Sequence, residues 1–266
     1  MTEIIAEIGW NHMGDINLAK EMISAAAESG AEYAKFQTWS VSRLKSGPWD
    51  LDGRREIYIK AELTKDQHYE LKEYCDKNSI KFMSSVFSIP DAEMLKDVIS
   101  DYVKIPSAES RNHNLLKYVN NHFRKVFIST GTSTIDEVKK SVDLLNSVEI
   151  VLLHCVSSYP CEPKQSNLPR INYLKSICNN IGYSDHVQGI ETARSSLEFG
   201  LSVIEKHFTI DNNLPGRDNK FAILPKELKD LVDFISKREE SLLDLGPDYI
   251  DAEEEVRNIY SGRFDN

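Results

Sequence analysis

The chain has 266 residues, a formal net charge of −10 and 41% hydrophobic residues, enough apolar material for a full core in one large domain or two small ones. So acidic a balance speaks against a duplex nucleic acid as partner, and no apolar run approaches the roughly 18 residues that span a bilayer. The opening "MTEIIAEIGWNHMGD" carries acids rather than the basic region of a signal peptide, and Cys75, Cys155, Cys161 and Cys178 form no CxxC pair, so the chain reads as cytoplasmic with reduced, mostly packing thiols.

In chain order, short apolar runs alternate with amphipathic ones. "EIIAEIG" reads as a strand and "NLAKEMISAAAESG" as a helix, with Leu18, Met22, Ala25 and Ala26 on one face. "AEYAKFQ" is the second strand. Residues 38–62 then break the rhythm. They are too long for an ordinary strand-to-helix loop, hold Trp39 and Trp49, and read as an irregular cover over a site. A helix opens at Thr64, whose capping box closes with Gln67, and "IKFMSSVF" and "DAEMLKDVI" form the next pair. "YVKIPS" with "NLLKYVNNH" follows. "KVFIST" leads to a helix capped by Thr134 and Glu137. "EIVLLHC" with "LPRINYLKSIC", "IGYSD" with "IETARSSLEFG", and "LSVIEKHFT" with "LPKELKDLVDFISKREESLLDLG" complete the series. Residues 210–224 are a second long loop.

Eight strand-then-helix units predict parallel strands joined by helical crossovers, and at this length a single-domain (β/α)8 TIM barrel over residues 1–245, with a charged peripheral tail at 246–266. A doubly wound open sheet would call for a glycine-rich phosphate turn after the first strand, and "EIGWNHMGD" has no GxGxxG.

Barrel enzymes work at the carboxyl ends of their strands. There the chain places Glu7, Asn11 and His12; Lys35 and Gln37; Ser84 and Ser85; Lys104, Ser107 and Glu109; Ser129 and Thr130; His154, Ser157 and Tyr159; Ser184, Asp185 and His186; and Glu205 and His207. Buried charge costs several kcal/mol unless paired or ligated, so packing alone does not account for this set. Two lysines and several hydroxyls suit a phosphate. His186 and His207, each beside a charged residue on neighbouring strands, suit a shared divalent metal, although a lone strand-end histidine is more often a structural residue, and His12, His68, His113 and His122 are read that way. "STGTS", Ser129–Ser133, is either a phosphate-cradling turn or simply a helix entry.

The motifs resemble the N-acetylneuraminate (sialic acid) synthase family. "IAEIGWNHMGDINLAKEMISAAAESGAEYAKFQTW", "VKIPSAES", "ISTGTSTIDEV", "LLHCVSSYP", "GYSDHVQGIE" and "VIEKHFTIDNNLPGRD" stand in the family's order from residue 4 to about residue 230. The resemblance implies a TIM barrel with a divalent metal, manganese first, magnesium or cobalt otherwise. It implies condensation of phosphoenolpyruvate with an open-chain amino sugar, N-acetylmannosamine or a relative, giving a 3-deoxy-2-keto acid and phosphate. By motif, His186 and His207 match the metal ligands. Lys35, Ser85, Lys104, Ser107, Ser129, Ser157 and Ser184 match the phosphoenolpyruvate site. Glu7, Gln37, Phe87, Glu109, Tyr159 and Asp218 match the acceptor side, with Glu205 near the centre. Glu7, Glu109, Lys35 and Lys104 are the catalytic candidates, the lysines neutralising substrate charge and Glu109 or Glu7 handling a proton or water.

Ser85 and Ser157 depart from the family's usual Thr and Asn, and "GRDN" from its usual Gly-Pro-Asp. Family members commonly continue into a small antifreeze-like domain that completes the acceptor site across a dimer; this chain reads as the barrel without it, and a homodimer is expected from the resemblance alone. Two rival readings stand beside the synthase: an aldolase or lyase using Lys35 or Lys104 as a Schiff base, and a degenerate barrel serving as a binding or scaffold subunit.

Overall fold

The computed structural model describes residues 2–264. Eight parallel strands close on themselves in chain order: β1 (Glu3–Gly9), β2 (Tyr33–Thr38), β3 (Lys81–Val86), β4 (Tyr102–Ile105), β5 (Lys125–Ser129), β6 (Glu149–Cys155), β7 (Ile181–Asp185) and β8 (Val203–His207), with β8 pairing back onto β1. Among the described residues ten helices accompany them: α1 (Ile16–Glu28), α2 (Arg54–Ala61), α3 (Lys65–Lys77), α4 (Ile89–Val98), α5 (His113–His122), α6 (Ile135–Asp143), α7 (Arg170–Lys175), α8 (Glu191–Ser196), α9 (Pro225–Ser241) and α10 (Glu254–Tyr260). This is the expected (β/α)8 barrel. Both anticipated capping boxes form, Thr64 with Gln67 at α3 and Thr134 with Glu137 at α6.

The period-2 alternation of a strand explains where the polar side chains fall. One face of each strand meets the helices: Ile4, Ala6, Ile8, Ala34, Phe36, Phe82, Val103, Val126, Ile128, Leu152 and Ile204 belong to a single apolar cluster with the inner faces of the helices. The other face points into the barrel. Ile5, Tyr33, Met83, Phe127, Val151, Leu153 and Val203 form a separate apolar plug there, with Tyr102 packed against it. Two residues further along the same strands come Glu7, Lys35, Ser85, Lys104, Ser129, Cys155 and Glu205, all buried. The plug closes the amino-terminal half of the barrel, and the polar layer lies on it, facing the carboxyl-terminal mouth.

Between β7 and β8 the outward positions carry a buried ion pair. Lys206 Nζ lies 3.0 Å from Asp185 Oδ2, and Asp185 Oδ1 accepts from Tyr183 Oη and from the Val187 amide, both at 2.9 Å. The pair joins neighbouring strands one residue before each of His186 and His207.

Two segments differ from the sequence reading. The 38–62 cover is not wholly irregular, because "RREIYIKA" coils into α2. Its apolar residues have no helical period and only Ala61 is buried, so periodicity could not reveal it. The tail also contains a helix, α10, but every described residue from 241 to 264 is exposed, so it adds nothing to the barrel core.

Gly14, in the β1–α1 loop, joins the cover to the barrel. It takes φ +83°, and a Cβ there would stand 1.9 Å from the Lys60 carbonyl oxygen at the end of α2. Gly14→Ala is therefore expected to cost about 2–4 kcal/mol, combining left-handed strain with overpacking against backbone. Urea unfolding measures the loss, and trypsin should cut faster at Arg54, Arg55 and Lys60 if α2 is pushed off.

Candidate active site

The carboxyl ends of the strands surround a cavity of about 900 Å³. At its floor lies a chain of four buried charges. Lys35 Nζ stands 2.7 Å from Glu7 Oε2, 3.8 Å from Glu205 Oε2 and 2.9 Å from Ser85 Oγ. Lys104 Nζ donates to both oxygens of Glu205, at 2.9 and 2.8 Å, and Ser184 Oγ donates to Oε1 at 2.9 Å. Gln37 Nε2 donates to Glu7 Oε1 at 2.7 Å.

Burial opposes every one of these charges, and pairing decides the outcome differently at each. At Glu205 the two ammonium groups outweigh desolvation and hold the carboxyl at about 2. Glu7 has only one ammonium in contact, and desolvation keeps its pKa raised. For Lys35, two carboxylates overcome burial and raise the ammonium; for Lys104, burial together with repulsion from Lys35 wins over Glu205 and lowers it.

His186 and His207 stand over this floor with ring centroids 5.4 Å apart. His186 Nδ1 donates to the Val156 carbonyl at 2.8 Å, which leaves Nε2 as the nitrogen to meet an ion; against burial, Cys155 and that carbonyl raise the imidazole's pKa. His207 is held neutral, its pKa lowered by burial and by His186 and Lys35. Its Nδ1 is buried without a hydrogen bond; Asp218 Oδ2, at 3.6 Å, is too far. Asp218 instead accepts from Trp10 Nε1 at 2.6 Å, and burial pushes its carboxyl up to about 6. Two imidazoles sharing one ion at metal–nitrogen distances near 2.1 Å have ring centres roughly 5–6 Å apart. The spacing, the His186 Nδ1 hydrogen bond and the unpartnered nitrogen fit a metal held by two protein ligands. Among the described residues no group of three His, Cys, Asp or Glu is disposed to hold an ion, so such a site would be open, completed by water or substrate.

On the β4–β5–β6 side lies a rim of hydroxyls. Ser107 Oγ accepts from the Gly131 amide at 3.1 Å and donates to Cys155 Sγ at 3.4 Å. A Cβ at Gly131 would stand 2.3 Å from Ser157 Oγ and 2.7 Å from Ser107 Oγ, so the backbone comes close to the cavity wall only because the residue is glycine. Ser129 Oγ is buried with no partner, a free donor. Thr134 caps α6 beyond this turn, so "STGTS" is both a helix entry and a turn at the cavity, through Ser129 and Thr132.

All but one of the residues matched to the family's site line this cavity: Glu7, Lys35, Gln37, Ser85, Phe87, Lys104, Ser107, Ser129, Ser157, Tyr159, Ser184, His186, Glu205, His207 and Asp218; of the other strand-end residues, Asn11, His12, Ser84, Thr130, His154 and Asp185 do not. Glu109 does not. The strand is followed by a single 3-10 turn, Ser107–Glu109, and the Glu109 carboxylate accepts from Asn112 Nδ2 at 2.8 Å in its own loop. The sequence reading missed Trp10, Arg54, Tyr58, Arg111, Arg217, Lys220 and Phe221, which also line the cavity. They lie on loops or, for Arg54 and Tyr58, on α2, where no apolar period marks a side chain as inward. With six Lys and Arg against three carboxylates among its lining residues, the cavity is cationic in a chain of net charge −10. Such a site draws in anions.

A closed parallel barrel with a buried charge network, two metal-competent imidazoles and a cationic mouth is an enzyme scaffold with its active site on the carboxyl face. The chain belongs to the NeuB family, which matches residues 22–245, and is with that family a synthase. It is 36% identical over 245 residues to an N,N'-diacetyllegionaminic acid synthase of Campylobacter jejuni, covering 86% of this chain and 73% of the relative. It is 31% identical to the N-acetylneuraminate-9-phosphate synthase of Drosophila melanogaster, over 93% of this chain and 70% of that one. Among solved structures, the N-acetylneuraminic acid synthetase of Leptospira borgpetersenii in complex with citrate superposes with a TM-score of 0.85 at 33% identity, covering 98% of this chain and 93% of the other.

Glu205→Gln is expected to destabilise the fold by about 3 kcal/mol, because it leaves two buried ammonium groups short of their shared counter-charge. Glu109→Gln is expected to change stability by no more than about 0.5 kcal/mol. Chemical denaturation of the two variants side by side checks the contrast.

Proposed function

We propose that the chain condenses phosphoenolpyruvate with the aldehyde of an open-chain amino sugar, N-acetylmannosamine or a relative, to a 3-deoxy-2-keto acid, releasing phosphate. The observation that carries this reading is the floor of the cavity: Lys35 and Lys104 are buried and paired with Glu7 and Glu205 directly beneath His186 and His207, beside a hydroxyl-lined turn. A trianionic three-carbon substrate finds ammonium groups for its charge and hydroxyls for its phosphoryl oxygens. The named relatives make sugar acids of this class.

In this reading Lys35, Lys104, Ser85, Ser107, Ser129, Ser157 and Ser184 hold phosphoenolpyruvate. Gln37, Phe87, Tyr159 and Asp218 face the acceptor. His186 and His207 hold a divalent metal, manganese before magnesium or cobalt, which when bound polarises the acceptor's aldehyde oxygen. The enol carbon attacks that aldehyde, water adds at the former C2, and the adduct loses phosphate by C–O cleavage; carbon, oxygen and phosphorus balance with one water consumed. Glu7 is the residue to orient that water or accept its proton. Burial raises its pKa, which strengthens the carboxylate as a base, and it is ordered by Gln37 and Lys35. Glu109, off the cavity, has no part in this assignment. A homodimer belongs to the same reading and is checked by light scattering.

One observation favours a second reading. Lys104 has its ammonium pKa lowered by burial, the property a Schiff-base lysine needs. Borohydride trapping with pyruvate separates the two, since a covalent adduct would exclude the synthase.

The direct test is phosphate release from phosphoenolpyruvate with manganese and a panel of aldoses and N-acetylated hexosamines. Release dependent on one acceptor supports the proposal; none with any acceptor overturns it. EDTA should abolish turnover and manganese restore it. His186→Ala and His207→Ala should each reduce turnover at least about 10³-fold while keeping the native circular dichroism. Activity indifferent to EDTA and to both substitutions would remove the metal from the scheme.

A further inference from the structure

We infer that Arg170, which does not line the cavity, is the positioning residue of the anion-binding turn Thr130–Ser133; this rests on the proposed phosphoenolpyruvate site. The guanidinium enters from behind the turn, at the start of α7. Its Nη1 donates to the Thr130 carbonyl and to Thr130 Oγ1, both at 3.1 Å, and its Nη2 donates to the Ser133 carbonyl at 2.8 Å. Every hydrogen bond it makes among the described residues thus ends on the turn, at its two ends. The turn needs such a clamp. Thr132 sits at φ +59°, a conformation threonine disfavours, and Gly131 lies against two serine hydroxyls with no room for a side chain.

The direction of these bonds carries the functional argument. In a trans peptide the carbonyl and amide point opposite ways. Arg170 holds the Thr130 carbonyl outward, so the Gly131 amide points inward and donates to Ser107 Oγ, a hydroxyl of the cavity wall. The amide thereby occupies an acceptor site on Ser107 and leaves its proton free to be given. In the structure that proton goes to Cys155 Sγ at 3.4 Å, a long contact to sulfur that a phosphoryl oxygen would displace. No carboxylate pairs with Arg170 among the described residues, and the guanidinium is partly buried, so its charge is not cancelled locally. It adds positive potential behind the turn through the Thr130–Gly131 peptide dipole. Contacts within the protein hold the conformation, which is what a preorganised anion site requires.

The test is steady-state kinetics of Arg170→Met and Arg170→Lys, with phosphoenolpyruvate affinity measured separately by calorimetry. If Arg170 positions the turn, Arg170→Met raises the KM and the Kd for phosphoenolpyruvate at least about tenfold and leaves the acceptor KM and the metal affinity within about twofold. Arg170→Lys, which keeps the charge and some of the donors, falls between. Wild-type affinity for phosphoenolpyruvate in Arg170→Met overturns the inference while leaving the proposed function standing. An equal loss in acceptor KM and metal affinity also overturns it, because that pattern marks general loosening of the barrel. Should Arg170→Met not fold, Arg170→Gln is measured instead, with the same expectation and the same overturning results. If the unmodified protein does not bind phosphoenolpyruvate at all, the proposed function falls and this inference with it.

Discussion

Four charges are buried at the bottom of a barrel, each almost wholly shielded from solvent. Moving an unpaired ammonium or carboxylate into such a place costs several kcal/mol, and each pair here recovers part of that only through short contacts. The order Glu7, Lys35, Glu205, Lys104 makes a chain in which the two central groups each touch two opposite charges and the outer ones touch one. That asymmetry explains the titration behaviour. The doubly contacted groups are the ones held firmly ionised, Glu205 far below and Lys35 above its ordinary range, whereas Glu7 and Lys104 are pushed toward neutrality. A stability-driven core would replace this chain with leucines. Its presence makes sense where a ligand is to receive the charge.

The same chain sets what the site accepts. Two ammonium and two carboxylate groups leave the floor formally neutral, so an arriving anion must draw on something more. Arg54, Arg111, Arg217 and Lys220 at the walls and mouth provide it, and they outnumber the single remaining carboxylate, Asp218. Arg54 and Arg111 are partly engaged with Asp52 and Glu137 on the surface, which restrains them without cancelling the field inside. The division of labour is physical: rim cations raise the local concentration of an anion, and buried ones orient it.

How much of this could be read without coordinates follows from the same geometry. The barrel was legible because parallel strands and their helices impose two clear periods, and because capping boxes at Thr64 and Thr134 mark helix starts by chemistry rather than by pattern. The polar floor was legible because Glu7, Lys35, Lys104 and Glu205 interrupt strands otherwise made of apolar residues. The orientation of Glu109 was not legible for a related reason: a residue just past a strand end has left the alternation, and a single turn brings its carboxylate to Asn112. The wall, with Trp10, Arg217 and Phe221 on loops and Arg54 and Tyr58 on α2, has no period to betray it, because α2 lacks an apolar face.

Arg170 shows where such reading ends in principle. It sits in "LPRINYLK", a stretch whose pattern announces only a short helix, and its partners are two carbonyls and one hydroxyl of residues 37 to 40 positions earlier. Backbone acceptors carry no sequence signature, so no inspection of residue types could pair them with a distant guanidinium. Yet that contact fixes the orientation of a peptide whose amide meets Ser107 at the cavity wall. The serines and glycine of "STGTS" supply the donors and the space, but those residue types populate many turns. What selects one conformation here is a charge held behind the turn. Recognition of an anion in this barrel therefore depends on residues that touch it and equally on a residue, two layers back, that orients the backbone they stand on.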